Sequence, residues 1–99
     1  MNRLPLIVTL ALLPVGASLA KAPEQCEKIS DLAAESMRAR QDGELLKDST
    51  KSVGDGSRFS EEMVMKAYQV RVFEDSKDRA TAISEFQNAA YRECYDAHN

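Results

Sequence analysis

Cys26 and Cys94, the two cysteines of this 99-residue chain, carry its clearest chemistry. An even cysteine count in a short exported chain predicts a disulfide, and two cysteines allow one intramolecular pairing. The bond would close a loop of about 70 residues, worth roughly 4 kcal/mol in the chain-entropy model. A catalytic or metal-binding thiol is disfavoured, because no Cys-x-x-Cys is present and the single histidine, His98, is the penultimate residue.

Other reactive constellations are missing from the sequence. No serine or cysteine nucleophile has a histidine base paired with it, and the His-x-x-x-His and Glu-x-x-His spacings of metal sites do not occur. The glycines of Gly54-Asp-Gly56 lack the Gly-Lys-Ser/Thr pattern of a phosphate-binding loop. We therefore predict no catalytic residue, no metal site and no cofactor, and we expect the protein not to be an enzyme.

The first 20 residues have the pattern of a cleaved signal peptide. Arg3 precedes an apolar run from Leu4 to Leu13, and the small residues Ser18 and Ala20 suit a cleavage site. Cleavage is expected after Ala20, with Ala22 as a second candidate. The apolar run is shorter than the roughly 20 residues that span a bilayer. The prediction is a single domain over residues 21–99, in the periplasm or secreted, without stable membrane anchoring once the signal is removed.

The charge balance argues against nucleic acid as a partner. The chain carries 13 Lys and Arg against 16 Asp and Glu, a formal net charge of −3. Basic and acidic residues are interspersed, whereas DNA- and RNA-binding proteins present a clustered basic face. An anionic membrane surface is disfavoured for the same reason.

Hydrophobic periodicity predicts an all-α protein. The first helix is expected from Pro23 to the glycine stop at Asp42-Gly43, and residues 44–52 are expected to form a short, frayed helix. The last helix should start at Asp75–Asp78 and run to about Ala97. The core stripe of the first helix, three or four residues apart, is Cys26, Ile29, Ala33, Met37 and Arg40, with Leu32 on its flank.

Among the predicted helices, the middle one has the least regular spacing of apolar residues. Ser60 is its expected N-cap, and Phe59 is expected to pack on Val64 as a hydrophobic staple. The apolar residues from Met63 to Phe73 then point in nearly every direction at 100° per residue. Either this helix is central in the bundle, or part of it is a partner or self-association surface; a β-strand at 70–73 is a further alternative. The candidate partner surface consists of Met63, Met65, Tyr68, Val70 and Phe73.

A polar site inside the bundle is the second candidate. Gln87 lies in the middle of the apolar stripe of the last helix, and a buried amide needs hydrogen-bond partners. Together with Tyr91 and Arg40 it would form a polar core site; alternatively Gln87 pairs with a tyrosine hydroxyl or a carbonyl, and Arg40 covers apolar surface with its stem.

The expected disulfide also constrains the topology. Cys26 lies at the start of the first helix and Cys94 near the end of the last, so those two helices must be antiparallel. With the short helix as the second member, three long helices and one short helix form an antiparallel, up-down-up-down bundle. A long return over residues 47–57 is the alternative.

Three stretches resemble an uncharacterised family of small exported bacterial proteins with two cysteines. They are residues 38–43 (RARQDG), 67–68 (AY) and 86–95 (FQNAAYRECY). The resemblance implies a periplasmic helical domain and carries no activity or ligand; residues 69–71 are irregular against it. We therefore expect a protein-binding module of the envelope that uses the apolar excess of residues 63–73. The alternative is a small-ligand carrier or enzyme with a pocket inside the bundle, around Gln87 and Tyr91.

Overall fold

The computed structural model describes residues 23–98, which form four α-helices and no strand. Helix α1 covers 23–41, α2 Leu46–Ser52, α3 Arg58–Ala67 and α4 Ser76–Ala97. The predicted all-α class, with three long helices and one short one, is confirmed. None of these helices has the length and apolar character needed to cross a membrane. The predicted signal peptide, residues 1–20, and both candidate cleavage positions lie outside the described residues.

Helix α1, and not the middle helix, is the central element of the bundle. Cys26, Ala33 and Met37 of the predicted stripe are buried, and small residues on other sides of the same helix are buried with them. Two of these are serines whose hydroxyls are satisfied within the helix: Ser30 donates to the Glu27 carbonyl and Ser36 to the Leu32 carbonyl, both at 2.8 Å. Because serine and alanine are small, neighbouring elements can approach α1 closely. Sequence periodicity, which looks for large apolar residues, does not identify this role.

Glycine ends α1 as predicted. Gly43 has φ +82°, a left-handed conformation that glycine adopts without a steric cost. The Gly43 N–H donates to the Arg40 carbonyl at 3.0 Å, and the Glu44 N–H donates to the Ala39 carbonyl at 3.1 Å. These two bonds form a Schellman motif, which satisfies the last carbonyls of the helix. The chain then turns toward α2.

The start of α3 differs from the prediction. Its N-cap is Ser57, whose hydroxyl accepts a hydrogen bond from the Ser60 N–H at 3.2 Å. Ser60 is instead a buried helix residue, and its own hydroxyl donates to the Ser57 carbonyl at 3.0 Å. The shift of three residues places Phe59 inside the first turn with 52% of its surface exposed. The predicted staple position of Phe59 before the helix is therefore wrong.

The end of α3 differs as well. The helix stops at Ala67, and residues 71–73 are extended, so the predicted continuation to Phe73 is wrong. Two side chains from the end of α1 hold this segment. The Arg40 Nε donates to the Val70 carbonyl at 2.7 Å, and Gln41 donates to the Arg71 carbonyl at 2.8 Å and accepts from the Phe73 N–H at 2.9 Å. Gln41 thus bonds to the extended backbone as a neighbouring strand would.

The disulfide between Cys26 and Cys94 is formed, with the Cα atoms 5.5 Å apart. It joins the beginning of α1 to the last turns of α4. At the other end of the bundle, the contacts from Arg40 and Gln41 hold the segment that leads into α4. Helices α1 and α4 are therefore antiparallel, and the predicted topology is confirmed. The short α2 packs against α3 and replaces the alternative of a long return.

Candidate protein-binding groove

An apolar groove separates α3 from α4, and we call it the α3–α4 groove. It encloses about 860 Å³ and includes Ile29 of α1. The lining comes mainly from one stripe on each helix. The lining residues from the middle of the chain are Phe59, Glu62, Met63, Lys66, Gln69 and Val70, with Met65 beside this stripe. The stripe from α4 is Phe86, Ala89, Ala90, Glu93, Cys94, Ala97 and His98.

The groove exists because α4 is poorly covered. Although α4 has 22 residues, Cys94 is the one residue of this helix that is buried. Phe86, Ala89 and Ala90 are only half-buried on the side that faces α3. Helix α3 is tied to α2 and to the end of α1 and does not close on α4. An apolar stripe on a long helix normally lies against a neighbour, so this face has room for another element.

Large apolar side chains are exposed along the α3 side of the groove. Phe59 is 52% exposed and Met65 is 50% exposed, and both line the groove. Met63 is half-buried beside them. Methionine is flexible and polarisable, and it suits a surface that adapts to different apolar partners. Phe59 and Met65 therefore add exposed apolar surface to the same groove and are not two unrelated surface residues.

One ion pair crosses the groove. The Lys66 Nζ of α3 lies 3.9 Å from the Glu93 Oε1 of α4, and both side chains are largely exposed. An exposed pair of this kind contributes little to stability, typically about 0–1 kcal/mol. It is therefore easily opened by a ligand. With Glu62 on the same rim, the charged groups of the groove are two acids and one base.

A second, shallower groove of about 390 Å³ continues the apolar surface along α4. It shares Val70, Phe86 and Ala89 with the α3–α4 groove and adds Phe73 and Met37. The two grooves therefore meet on the same side of α4, with the extended segment 70–73 between them.

The predicted partner surface is partly gathered here. Met63, Met65 and Val70 line the α3–α4 groove, and Phe73 lines the second groove. The guanidinium of Arg71 lies over the Phe73 ring at 4.5 Å from its centre. That these residues bind a partner stays a prediction.

Tyr68 has a different position from the rest of the predicted partner surface. Its hydroxyl donates to the Glu44 carbonyl at 2.7 Å and contacts the hydroxyl of buried Ser49. The Arg40 guanidinium lies over its ring at 5.0 Å. Tyr68 thus ties α2 and α1 to the end of α3, and it lines neither groove.

The three residues of the predicted polar core site are not lining residues of either groove. Gln87 and Tyr91 are half-buried on α4, and Tyr91 stacks on Tyr95 with ring centres 6.3 Å apart. Arg40 is occupied by the Val70 carbonyl and the Tyr68 ring. The buried amide with hydrogen-bond partners is Gln41, which is 3% exposed. Neither described groove includes Gln87 or Tyr91, and a ligand site at these residues stays a prediction.

Two features of the site were missed in the sequence. Phe59 was expected to pack on Val64, and its place in the groove follows from the capping shift to Ser57. His98 was noted in the sequence as the penultimate residue without a partner role, yet its Nδ1 lies 2.8 Å from the Cys94 carbonyl oxygen and 3.9 Å from the Cys94 Sγ. The contact between His98 and Cys94 could have been predicted from the sequence, because residues four apart on a helix face the same side.

The turn before α3 contains a carboxyl group whose pKa is lowered by hydrogen bonds. The Asp55 Oδ1 accepts a hydrogen bond from the Ser57 N–H at 3.0 Å. Hydrogen bonds from the Ser57 hydroxyl and backbone N–H hold the pKa of the Asp55 carboxyl below its ordinary value of 3.8. This carboxylate stabilises the entry to α3 and lies outside the groove.

Comparison of the chain with protein-family models, with curated proteins and with solved structures found no match.

Proposed function

We propose that this protein is a binding module of the cell envelope that holds an apolar helical segment of another protein in the α3–α4 groove. The observation that carries the proposal is the pair of exposed large side chains, Phe59 and Met65, beside an uncovered apolar stripe of α4. Grooves between helices are a recurring site for amphipathic helices, which insert residues at i, i+3, i+4 and i+7.

The dimensions of the groove suit a helix. On α4 the stripe runs from Phe86 to Ala97, which at 1.5 Å per residue is about 17 Å, or three turns. The small side chains of Ala89, Ala90 and Ala97 leave room for large apolar side chains of the partner. On the opposite wall, Met63 and Phe59 supply the adaptable and aromatic contacts that dominate many interfaces.

Charge supports a partner segment with basic flanks. The rim carries Glu62 and Glu93 against Lys66, and the whole chain has a net charge of −3. A lysine or arginine beside the apolar face of the bound segment could take the place of Lys66 in the ion pair with Glu93. Such rim charges mainly raise the association rate and exclude unsuitable partners.

The proposed compartment is the periplasm or the outside of the cell. It rests on the signal-peptide pattern of residues 1–20 and on the disulfide, which is typical of oxidising compartments. In this proposal the protein acts by binding and not by catalysis.

A small-ligand carrier is the second candidate, because about 860 Å³ falls within the usual range of small-molecule sites. The exposed Phe59 and Met65 favour the protein partner, since a carrier encloses most of its ligand.

Site-specific photocross-linking in envelope extract tests the proposal. A photoreactive residue replaces Met65 in the groove, and the control replaces Leu45, which is apolar and 62% exposed but lies outside the groove. We expect a discrete adduct from position 65 alone, mapped by mass spectrometry to a helix-forming apolar segment with Lys or Arg nearby. The adduct should be lost when Phe59→Glu is added.

Three outcomes would contradict the proposal. Equal cross-linking from positions 65 and 45 would mean that exposure alone, and not the groove, determines contact. An adduct with a lipid or small molecule would favour the carrier. An adduct with a second copy of this chain would replace the proposed partner by self-association.

A further inference from the structure

Three metal-ligating side chains meet at one end of the α3–α4 groove. The ligand atoms of Cys26, Cys94 and His98 all lie within 4.8 Å of one another. Cys94 and His98 are four residues apart on α4, so they share one helix face. Cys26 comes from α1, and the disulfide now joins it to Cys94.

We propose that reduction of this disulfide converts the cluster into a Zn²⁺ site with two thiolate ligands and one imidazole ligand. Zn²⁺ binds Cys sulfur at about 2.3 Å and His nitrogen at about 2.0–2.1 Å in a tetrahedral arrangement. Tetrahedral geometry with those bond lengths separates a sulfur and a nitrogen ligand by about 3.6 Å. The His98 Nδ1 lies 3.9 Å from the Cys94 Sγ, so the imidazole ring is already beside this sulfur.

The backbone supplies a second contact of the kind that metal-binding histidines use. The His98 Nδ1 lies 2.8 Å from the Cys94 carbonyl oxygen. A ligating histidine commonly donates one ring N–H to a carbonyl or carboxylate, which orients the ring and fixes the tautomer. In the proposed site Nδ1–H is this donor, and the other ring nitrogen, Nε2, binds the ion. Three protein ligands leave the fourth position of the ion to water.

The chemistry is a two-electron reduction followed by metal binding. A dithiol reductant attacks the Cys94 sulfur, which lines the groove, and Cys26 leaves as a thiolate. The second thiol of the reductant resolves the mixed disulfide, so the reductant becomes a cyclic disulfide and the protein gains two electrons and two protons. Zn²⁺ then displaces both thiol protons to solvent and takes the lone pair of neutral His98.

The consequence is that the metal replaces the covalent link between α1 and α4. The disulfide stabilises the folded chain by closing a long loop. An ion held by ligands from both helices would restore the connection under reducing conditions. This inference does not depend on what binds in the groove.

Calorimetric titration of the full chain with ZnCl₂, after reduction with a phosphine, tests the proposal. We expect one Zn²⁺ per reduced chain, no uptake by the oxidised chain, and a Zn²⁺-dependent rise in the melting temperature of the reduced chain. His98→Gln should weaken binding at least about 10-fold, because it removes a ligand. Asp96→Asn, on the same exposed turn of α4, is the matched control and should bind as wild type does.

Two further readouts make each result decisive. If the reduced chain unfolds, recovery of helical circular dichroism on adding Zn²⁺ supports the site, since metal binding is then coupled to folding. Co²⁺ in place of Zn²⁺ should give a thiolate charge-transfer band. Failure of Zn²⁺ to bind or refold the reduced chain, or equal binding by His98→Gln and wild type, would overturn the proposal.

Discussion

Gln41 connects the end of α1 to the extended segment before α4, and its replacement should be costly. The side chain is 3% exposed and makes hydrogen bonds to the Arg71 carbonyl at 2.8 Å and from the Phe73 N–H at 2.9 Å. Gln41→Ala removes both bonds, each worth about 1 kcal/mol net, and leaves the half-buried Phe73 N–H unpaired. The free energy of unfolding should fall by about 2–3 kcal/mol.

Thermal and urea denaturation, followed by circular dichroism, measure this loss. For a domain of this size the melting temperature should fall by roughly 10–20 °C. Gln87→Ala is the matched control, because Gln87 is a half-buried glutamine on α4 and alanine is a good helix former. Its effect should stay within about 0.5 kcal/mol. Equal effects of the two substitutions would refute the assignment of Gln41 as the anchoring amide.

Three other measurements test the remaining structural conclusions. Gly54 has φ +83° and an added Cβ would clash with the Ser60 side chain, whereas Gly56 has φ +81° and open space around it. Gly54→Ala should therefore lower the free energy of unfolding by about 1–3 kcal/mol more than Gly56→Ala in urea titrations, and equal losses would contradict the close approach. The lowered pKa of Asp55 stabilises the folded protein above the ordinary value of 3.8, and this contribution is lost as the pH falls through the lowered pKa. The Asp55→Asn variant keeps an oxygen that accepts from Ser57, but its side chain does not titrate. The free energy of unfolding should therefore be higher for wild type than for the variant at neutral pH, and the two should converge in acid. A difference that does not change with pH would contradict this role of Asp55. Reduction of the disulfide, without added metal, should destabilise the protein by roughly 4 kcal/mol, and an unchanged melting temperature would show that the link is not structural.

Features set by local signals could be predicted from the sequence. The cysteine count and positions predicted the disulfide and hence the antiparallel α1 and α4. The stop at Gly43 followed from the conformational freedom of glycine, which the Schellman motif uses. The apolar stripe of α1 was recognisable because Cys26 and Met37 recur with the helical period.

Features set by distant contacts could not be predicted in this way. The apolar sequence of residues 70–73 contains no glycine or proline to stop a helix, yet α3 ends at Ala67. Hydrogen bonds from Arg40 and Gln41, about 30 residues earlier, hold the extended segment. Ser57 and Ser60 are both suitable N-caps, and the burial of Ser60 selects Ser57.

Dependence on contacts between distant residues also explains why the candidate site could be predicted only in part. Periodicity identified Met63, Met65 and Val70 as surplus apolar residues, and they line the groove. It could not place Tyr68, whose hydroxyl donates a hydrogen bond to the carbonyl of Glu44, just before α2 begins. The groove itself results from the incomplete cover of α4, which depends on how the other three helices pack.

The affinity of the cross-linked partner segment, made as a synthetic peptide, tests the proposed function most directly. Isothermal titration would compare wild type with Phe59→Glu in the groove and with Leu45→Glu outside it, two substitutions at exposed apolar positions. Covering the exposed half of a phenylalanine, about 100 Å², is worth roughly 2.5 kcal/mol. We predict that Phe59→Glu weakens binding at least about 10-fold and that Leu45→Glu leaves it unchanged. Equal affinities for all three proteins would contradict the α3–α4 groove as the binding surface.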